Sequence, residues 1–213
     1  MKKVFRIFTI AAIAFGMSMT VACTDDNEGG GNNGNGNGGN GGNDNLPTTL
    51  DEHFENGVPE GWANIDADGD GFVWEIGYGE NSGQGPFTSG IDGSNCISSA
   101  SWDSEEGPLT PDNYLVTPEL FIPNDGSRTL TWYDAAQDAS YPEDFYAVYV
   151  GTLNNGVFTP RGDAIFSTTL TSADFTMRSV SLNEYKGQNI RIAFRHYNCT
   201  DWFVMKIDDV KVQ

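Results

Sequence analysis

The stretch IRIAFRHY, residues 190–197, separates into two faces when read at the two-residue period of a strand. Ile190, Ile192, Phe194 and His196 fall on one side, and Arg191, Ala193, Arg195 and Tyr197 on the other. This division predicts a strand with one face turned to a core. FYAVYVGT, residues 145–152, behaves differently. Tyr146, Val148 and Val150 share a face opposite Phe145, Ala147 and Tyr149, so both sides are apolar enough for a strand covered on each side. RTLTWY (128–133), MRSVSL (177–182) and WFVMKIDDVKV (202–212) add further alternating runs. Gly, Pro, Asp and Asn interrupt them, and no stretch keeps a helical apolar stripe over three turns. Roughly ten strands in one domain predict an all-β, two-sheet jelly-roll sandwich, a pattern that other Greek-key sandwiches share. That domain spans residues 48–213.

Upstream the chain changes character twice. MKKVFRIFTIAAIAFGMSMTVAC begins with Lys2, Lys3 and Arg6, continues through an apolar run from Ile7 to Met17, and ends on small residues before Cys23. The run is shorter than the ~20 residues of a spanning helix and reads as an export signal. A cysteine directly after TVA resembles a bacterial lipobox, with Thr20 where leucine is more usual. Residues 1–22 are thus expected to be a lipoprotein signal peptide and Cys23 the lipidated terminus. The acidic TDDNE that follows resembles the signal that places lipoproteins on the outer face of the outer membrane. Residues 23–47 are dominated by Gly and Asn, too polar to offset their ordering entropy, and read as a disordered tether with a reach of roughly 25–30 Å.

Thirty Asp and Glu against 11 Lys and Arg leave a formal net charge of −19. A chain this acidic repels nucleic acid and anionic lipid, so contact with a membrane is expected through the lipid anchor alone. With Cys23 assigned to lipid, Cys96 and Cys199 remain as an even pair in an exported chain. A disulfide and two buried thiols are both open readings, and Cys199 with His196 offers a third, nucleophilic one.

NIDADGDGFVW, residues 64–74, places Asp66, Asp68 and Asp70 at alternate positions among glycines. Three such acids repel one another unless a cation sits among them or water screens them, and the spacing suits calcium. The first half matches the start of an EF-hand loop. The second half does not, because Gly77 occupies the twelfth position, where a bidentate Glu belongs, and β-prone residues flank the loop.

FENGVPEGWANIDADGDGFVWEI, CISSASWDSEEGPLTPDNYLVTPEL, AAQDASYPEDFYAVYVGT and RIAFRHYNCTDWFVMKIDDVKV together resemble, in the same order, the cleaved-adhesin (haemagglutinin) domains of gingipain-type bacterial surface proteins. The resemblance runs from about Leu50 to Gln213. It implies a jelly roll with one or two structural calcium ions, adhesion to host cells and to matrix or blood proteins, and no catalysis. Carried onto this chain, it implies a calcium site at Asp66, Asp68 and Asp70 with the carbonyl of Phe72, completed by Glu106 and Asp112. A second site would pair Glu55 with Asp208 or Asp209. One copy on a tether, rather than a series of repeats, forgoes the avidity of linked modules.

Trp102, Tyr141 and Trp202 lie near turns and are candidate ligand contacts, whereas Trp132 alternates with Leu130 inside a strand. The pairs formed by Asp103, Glu105 and Glu106 could suggest glycoside hydrolysis, but proximity in sequence sets neither the gap nor the raised pKa that chemistry requires. The expected function is a surface lipoprotein that binds host or matrix protein or glycan. A glycan-capture module and a structural protein of the cell surface are the alternatives.

Overall fold

The computed structural model describes residues 46–77 and 89–213. The signal peptide, Cys23 and nearly all of the tether lie outside the described residues.

Fifteen strands are found among the described residues: β1 (Leu50–Glu52), β2 (Ala63–Asp66), β3 (Glu75–Gly77), β4 (Cys96–Ala100), β5 (Trp102–Asp103), β6 (Gly107–Pro108), β7 (Asn113–Val116), β8 (Leu120–Ile122), β9 (Thr129–Ala136), β10 (Phe145–Asn154), β11 (Val157–Pro160), β12 (Phe166–Thr169), β13 (Thr176–Ser181), β14 (Gln188–His196) and β15 (Val204–Val212). The count exceeds the ten expected because short pieces such as β5 and β6 carry no periodicity to read. Two antiparallel sheets hold most of them. One runs β13-β9-β15-β4-β3, with β1 also on β15, and the other runs β11-β10-β14-β7-β2, with β12 on β10 and β8 on β14. The long strands alternate between sheets along the chain, β9 to β10 and β13 to β14 to β15, as in a jelly roll.

The division of residues 190–197 is realised as expected. Ile190, Ile192, Phe194 and His196 are all buried on the inner face of β14, while Arg191 and Arg195 stay half-exposed on the outer one. β10 lies beside it with Tyr146 opposite His196 and Val150 opposite Ile192. The β10–β11 turn is a two-residue loop, Asn155 and Gly156, between the paired Asn154 and Val157. Both turn residues have positive φ (49° and 78°), the conformation that matches the twist of a hairpin and that Asn and Gly tolerate best.

Trp132 of β9 joins the sheets. Its ring meets Phe194 of β14 at 5.6 Å and Phe166 of β12 at 5.0 Å, both edge-on. Its indole N–H donates to the Tyr146 hydroxyl at 2.8 Å. That hydroxyl donates in turn to Asp134, which also accepts from Arg178 Nε at 2.9 Å. Asp134 is 0% exposed, so a carboxylate stands at an inward position of β9 where the alternation calls for an apolar side chain. Burial, and then the Asp134 charge, push the Tyr146 hydroxyl well above its usual pKa and keep it a donor.

Replacing Asp134 by Ala strands the Tyr146 hydroxyl and the Arg178 guanidinium together. The expected loss is about 3 kcal/mol, the low end for breaking a buried pair because Arg178 is partly solvated. Tyr146→Phe, which removes only a hydroxyl, should cost about 1–3 kcal/mol. Urea denaturation midpoints at constant m-value measure both.

Candidate functional site

The strand β2 ends on Asp66, and the loop that follows wraps its amides around that carboxylate. Asp66 Oδ1 accepts from the Gly69 amide at 2.6 Å and Oδ2 from the Gly71 amide at 2.9 Å. Both glycines have positive φ (78° and 88°), which turns their N–H groups inward at no steric cost. Asp70 accepts from the Phe72 amide at 2.8 Å, and Asp68 from the Asp112 amide at 3.3 Å. One oxygen from each of Asp66, Asp68 and Asp70 lies within 4.8 Å of the other two. Partial burial acts to raise the Asp66 pKa, but the Gly71 and Gly69 amides outweigh it and hold the carboxyl below its usual value. Asp68 is pushed up, first by burial and then by repulsion from Asp70.

The proposed completing ligands are placed differently. Glu106 lies in the turn between β5 and β6, its amide on Asp103 Oδ1 at 3.1 Å, and is not part of the aspartate group. Asp112 borders the loop through its backbone, but its carboxylate is forked by Arg195 at 2.7 and 2.8 Å. Arg195 is itself stacked on Tyr197 and Tyr114, at 4.0 and 4.9 Å. The reason is the register: Arg195 faces Tyr114 across the β14–β7 pair, two residues from Asp112, a long-range neighbour that the sequence conceals.

Glu55 and Asp208 converge on one short segment, 91–95. Glu55 accepts from the Asn95 amide at 3.4 Å, and buried Asp208 accepts from the Ile91 amide at 3.0 Å and the Ser94 hydroxyl at 3.2 Å. Asp209 turns the other way, to His53, because β15 bulges between Asp208 and Lys211 and Asp209 takes a positive φ of 52°. Desolvation pushes the Asp208 carboxyl up.

Cys96 and Cys199 are not bonded to each other. Cys199 Sγ instead contacts His196 Nε2 at 3.1 Å and the Phe145 carbonyl at 3.8 Å. Burial pushes both thiols up to about 12, so neither is the thiolate that a nucleophile requires.

Elsewhere a cleft of about 510 Å³ is lined by Trp102, Asp138, Tyr141, Asp201 and Phe203. Two of the three candidate ligand-contact aromatics meet there. Trp202 does not line it, although its amide is anchored nearby on Ser101 Oγ at 3.1 Å. Phe203 was hidden inside a strand-like run, and it reaches the cleft because β15 begins only at Val204 and Phe203 itself has a φ of 102°. Trp102 packs edge-on against it at 5.6 Å. Asp138 and Asp201 had no distinguishing signal among 30 acids.

The profile of the Cleaved Adhesin Domain family matches residues 47–212. Hemagglutinin A of Porphyromonas gingivalis is 38% identical over 179 residues, covering 78% of this chain and 8% of that protein. Lys-gingipain W83 of the same organism is 38% identical over 176 residues, covering 76% of this chain and 10% of that protein. This chain therefore spans about a tenth or less of these relatives. Among solved structures, the K1 cleaved adhesin domain of Lys-gingipain from P. gingivalis W83 superposes with a TM-score of 0.67 at 36% identity, covering 78% of this chain and 98% of that one. The K3 domain gives 0.65 at 40% identity, with 77% and 96% covered.

Exposure separates the aromatic residues by their expected cost. Tyr141 is 54% exposed, so Tyr141→Ala should change stability by less than about 0.5 kcal/mol. Trp74, buried behind the aspartate loop with its N–H on the Asn113 carbonyl at 3.2 Å, should cost about 3–5 kcal/mol as Ala. Thermal melts with and without thiol reductant should coincide, since no bond joins Cys96 to Cys199.

Proposed function

The chain belongs to the cleaved adhesin domain family, and from that membership we propose that it is an exported, surface-tethered adhesin module that grips a host-cell or matrix partner at the Trp102–Tyr141–Phe203 cleft. The observation that carries this reading is the cleft itself, where three aromatic rings border a concave surface with two carboxylates at its rim. Aromatic anchors supply most of the energy of typical contacts, and Tyr141 is already open to solvent. The work proposed for the domain is binding rather than catalysis. Lipidation at Cys23 would hold the domain at the outer surface, with residues 24–47 as its tether.

Calcium fits the donor set of the aspartate loop. Three carboxylates crowd together, and Asp112, whose amide bonds Asp68, is already paired with Arg195. Asp66, Asp68 and Asp70 would hold the ion, with the Phe72 carbonyl as a further oxygen. Glu55 and Asp208 supply carboxylates for a second site beside segment 91–95. The ion would relieve the repulsion among the acids and brace the loop against Asp112, just ahead of β7, to which Ala67 and Asp68 are already bonded.

A glycan and matrix-protein array, followed by titration of the best probe, tests the adhesive reading. Tyr141→Ala and Asp201→Asn should each weaken binding about tenfold while the melting temperature stays put. Silence of the folded wild type on both arrays would reject adhesion and favour a structural role; a response to glycans alone would favour glycan capture.

For calcium, a hundredfold excess over the dissociation constant stabilises by about 2.7 kcal/mol. In a domain of this size that raises the melting temperature by about 5–10 °C. Asp68→Ala should remove most of the response. Because the Asp68 carboxyl is pushed above its usual value, protons compete with the ion earlier than at an ordinary Asp. The calcium-dependent shift should therefore shrink as pH falls, beginning above the usual Asp range. Melting curves identical in calcium and in chelator at neutral pH would reject the site.

A further inference from the structure

Three side chains that adhesion leaves unused meet at one ring nitrogen. Asp144 directly precedes β10, His196 ends β14, and the two strands pair at that point. Cys199 stands three residues beyond, in the turn toward β15. His196 Nε2 lies 3.1 Å from Asp144 Oδ1 and 3.1 Å from Cys199 Sγ. Asp144 and His196 are fully buried. The other ring nitrogen, Nδ1, is 2.8 Å from Ser99 Oγ, which is held in turn by Asn113 Nδ2 at 3.2 Å.

This is not a thiol–imidazole–carboxylate relay. In a relay the carboxylate orients the ring from the nitrogen opposite the nucleophile, whereas here thiol and carboxylate approach the same nitrogen. Protons satisfy the cluster only in part. Nε2 carries one proton or one lone pair, so it makes one good hydrogen bond and not two. Asp144 Oδ2 is buried and has no hydrogen-bond partner among the described residues. A buried carboxylate oxygen left in this state is costly, and its neighbours are a nitrogen and a sulfur that also carry lone pairs. A metal cation among the three would meet these lone pairs at once.

We propose that Asp144, His196 and Cys199 form a zinc site, with a carboxylate oxygen, Nε2 and Sγ as protein ligands and water as the fourth. Sulfur with imidazole is a borderline-soft set that selects zinc, in contrast to the all-oxygen aspartate loop. The three candidate atoms lie within 4.8 Å of one another. Ligand atoms around a tetrahedral zinc stand about 3.3–3.7 Å apart, so the 3.1 Å contacts open by only a few tenths of an ångström on metal entry. Ser99 provides the outer contact that fixes the ring, accepting from Nδ1–H so that Nε2 presents its lone pair to the metal. Cys199 also lines a shallow cleft of about 360 Å³ with Thr110, Asp112, Arg195 and Tyr197, which gives water and the ion a route to the sulfur. On binding, the thiol proton leaves to solvent and the sulfur–metal bond replaces the S–H bond.

The test uses the purified full chain, stripped with a chelator and titrated with zinc by calorimetry and with cobalt(II) by absorption. One zinc per chain and a thiolate-to-cobalt charge-transfer band are expected. Cys199→Ser should abolish the band and weaken zinc by more than about 100-fold, beyond the loss of an outer contact, while Asp68→Asn leaves both unchanged. Should Cys199→Ser not fold, zinc protection of Cys199 against alkylation in the wild type reads the same contact, and failure of zinc to slow alkylation counts against the site. No zinc uptake by the stripped wild type, or uptake that Asp68→Asn removes and Cys199→Ser spares, overturns the proposal.

Discussion

The carboxylate of Asp134 sits between the two sheets with no exposure, and everything around it is arranged to keep it there. Tyr146 reaches it from β10 and Arg178 from β13, while Trp132, two residues earlier on β9, holds the Tyr146 hydroxyl from the other side. The chain therefore ties both sheets through directional bonds rather than through apolar contact alone. A sandwich held only by interdigitating side chains can shift register at modest cost. One with a buried carboxylate that demands two partners at fixed positions, one of them held in turn by Trp132, cannot, because each displaced partner exposes an unpaired group in the interior.

With the sheets held in register, β14 becomes the strand from which the ends of the domain are organised. Consecutive residues point to opposite faces, so Arg195 reaches outward to fork Asp112 while His196 turns inward to Asp144 and Ser99. Arg195 is gripped by a carboxylate and two tyrosine rings, and it brings Asp112 into line beside the aspartate loop. The Asp112 carbonyl and amide then bond Ala67 and Asp68. One outward arginine thus links the centre of a sheet to the loop that closes its end.

The chain handles its excess of acids locally. Asp66 is met by two backbone amides, Asp112 by Arg195, and Asp208 by the Ile91 amide and the Ser94 hydroxyl. Asp68 and Asp70 each accept one backbone amide, and burial followed by repulsion from Asp70 holds the Asp68 carboxyl above its usual value. In the Trp102–Tyr141–Phe203 cleft, Asp138 accepts the Ser140 amide at 2.7 Å while Asp201 is exposed.

What the sequence determined by itself is whatever depends on local periodicity and short spacing. The inward face of residues 190–197, the shared inward face of Tyr146, Val148 and Val150 and the crowding of Asp66, Asp68 and Asp70 all follow from neighbours a few positions apart, since a strand alternates its side chains and a short glycine-rich loop keeps its acids close, whereas Phe145 and Tyr149 on the other face of β10 are only half-buried. Trp102 and Tyr141 were legible for the same reason as residues at the margins of alternating runs, and the fold brings both to one cleft. Tertiary structure decided every pairing across long separations. Asp112 was drawn to Arg195, 83 positions away, and Glu106 was left in its own hairpin. Asp208 and Asp209 were parted by a bulge that only the pairing of β15 with β9 creates, and Cys199 was turned from Cys96 toward His196. Asp134 shows the limit most plainly. A carboxylate at an inward strand position reads as an error in the pattern until the folded sheets bring a tyrosine and an arginine to it, because the energy that permits its burial comes entirely from residues on other strands.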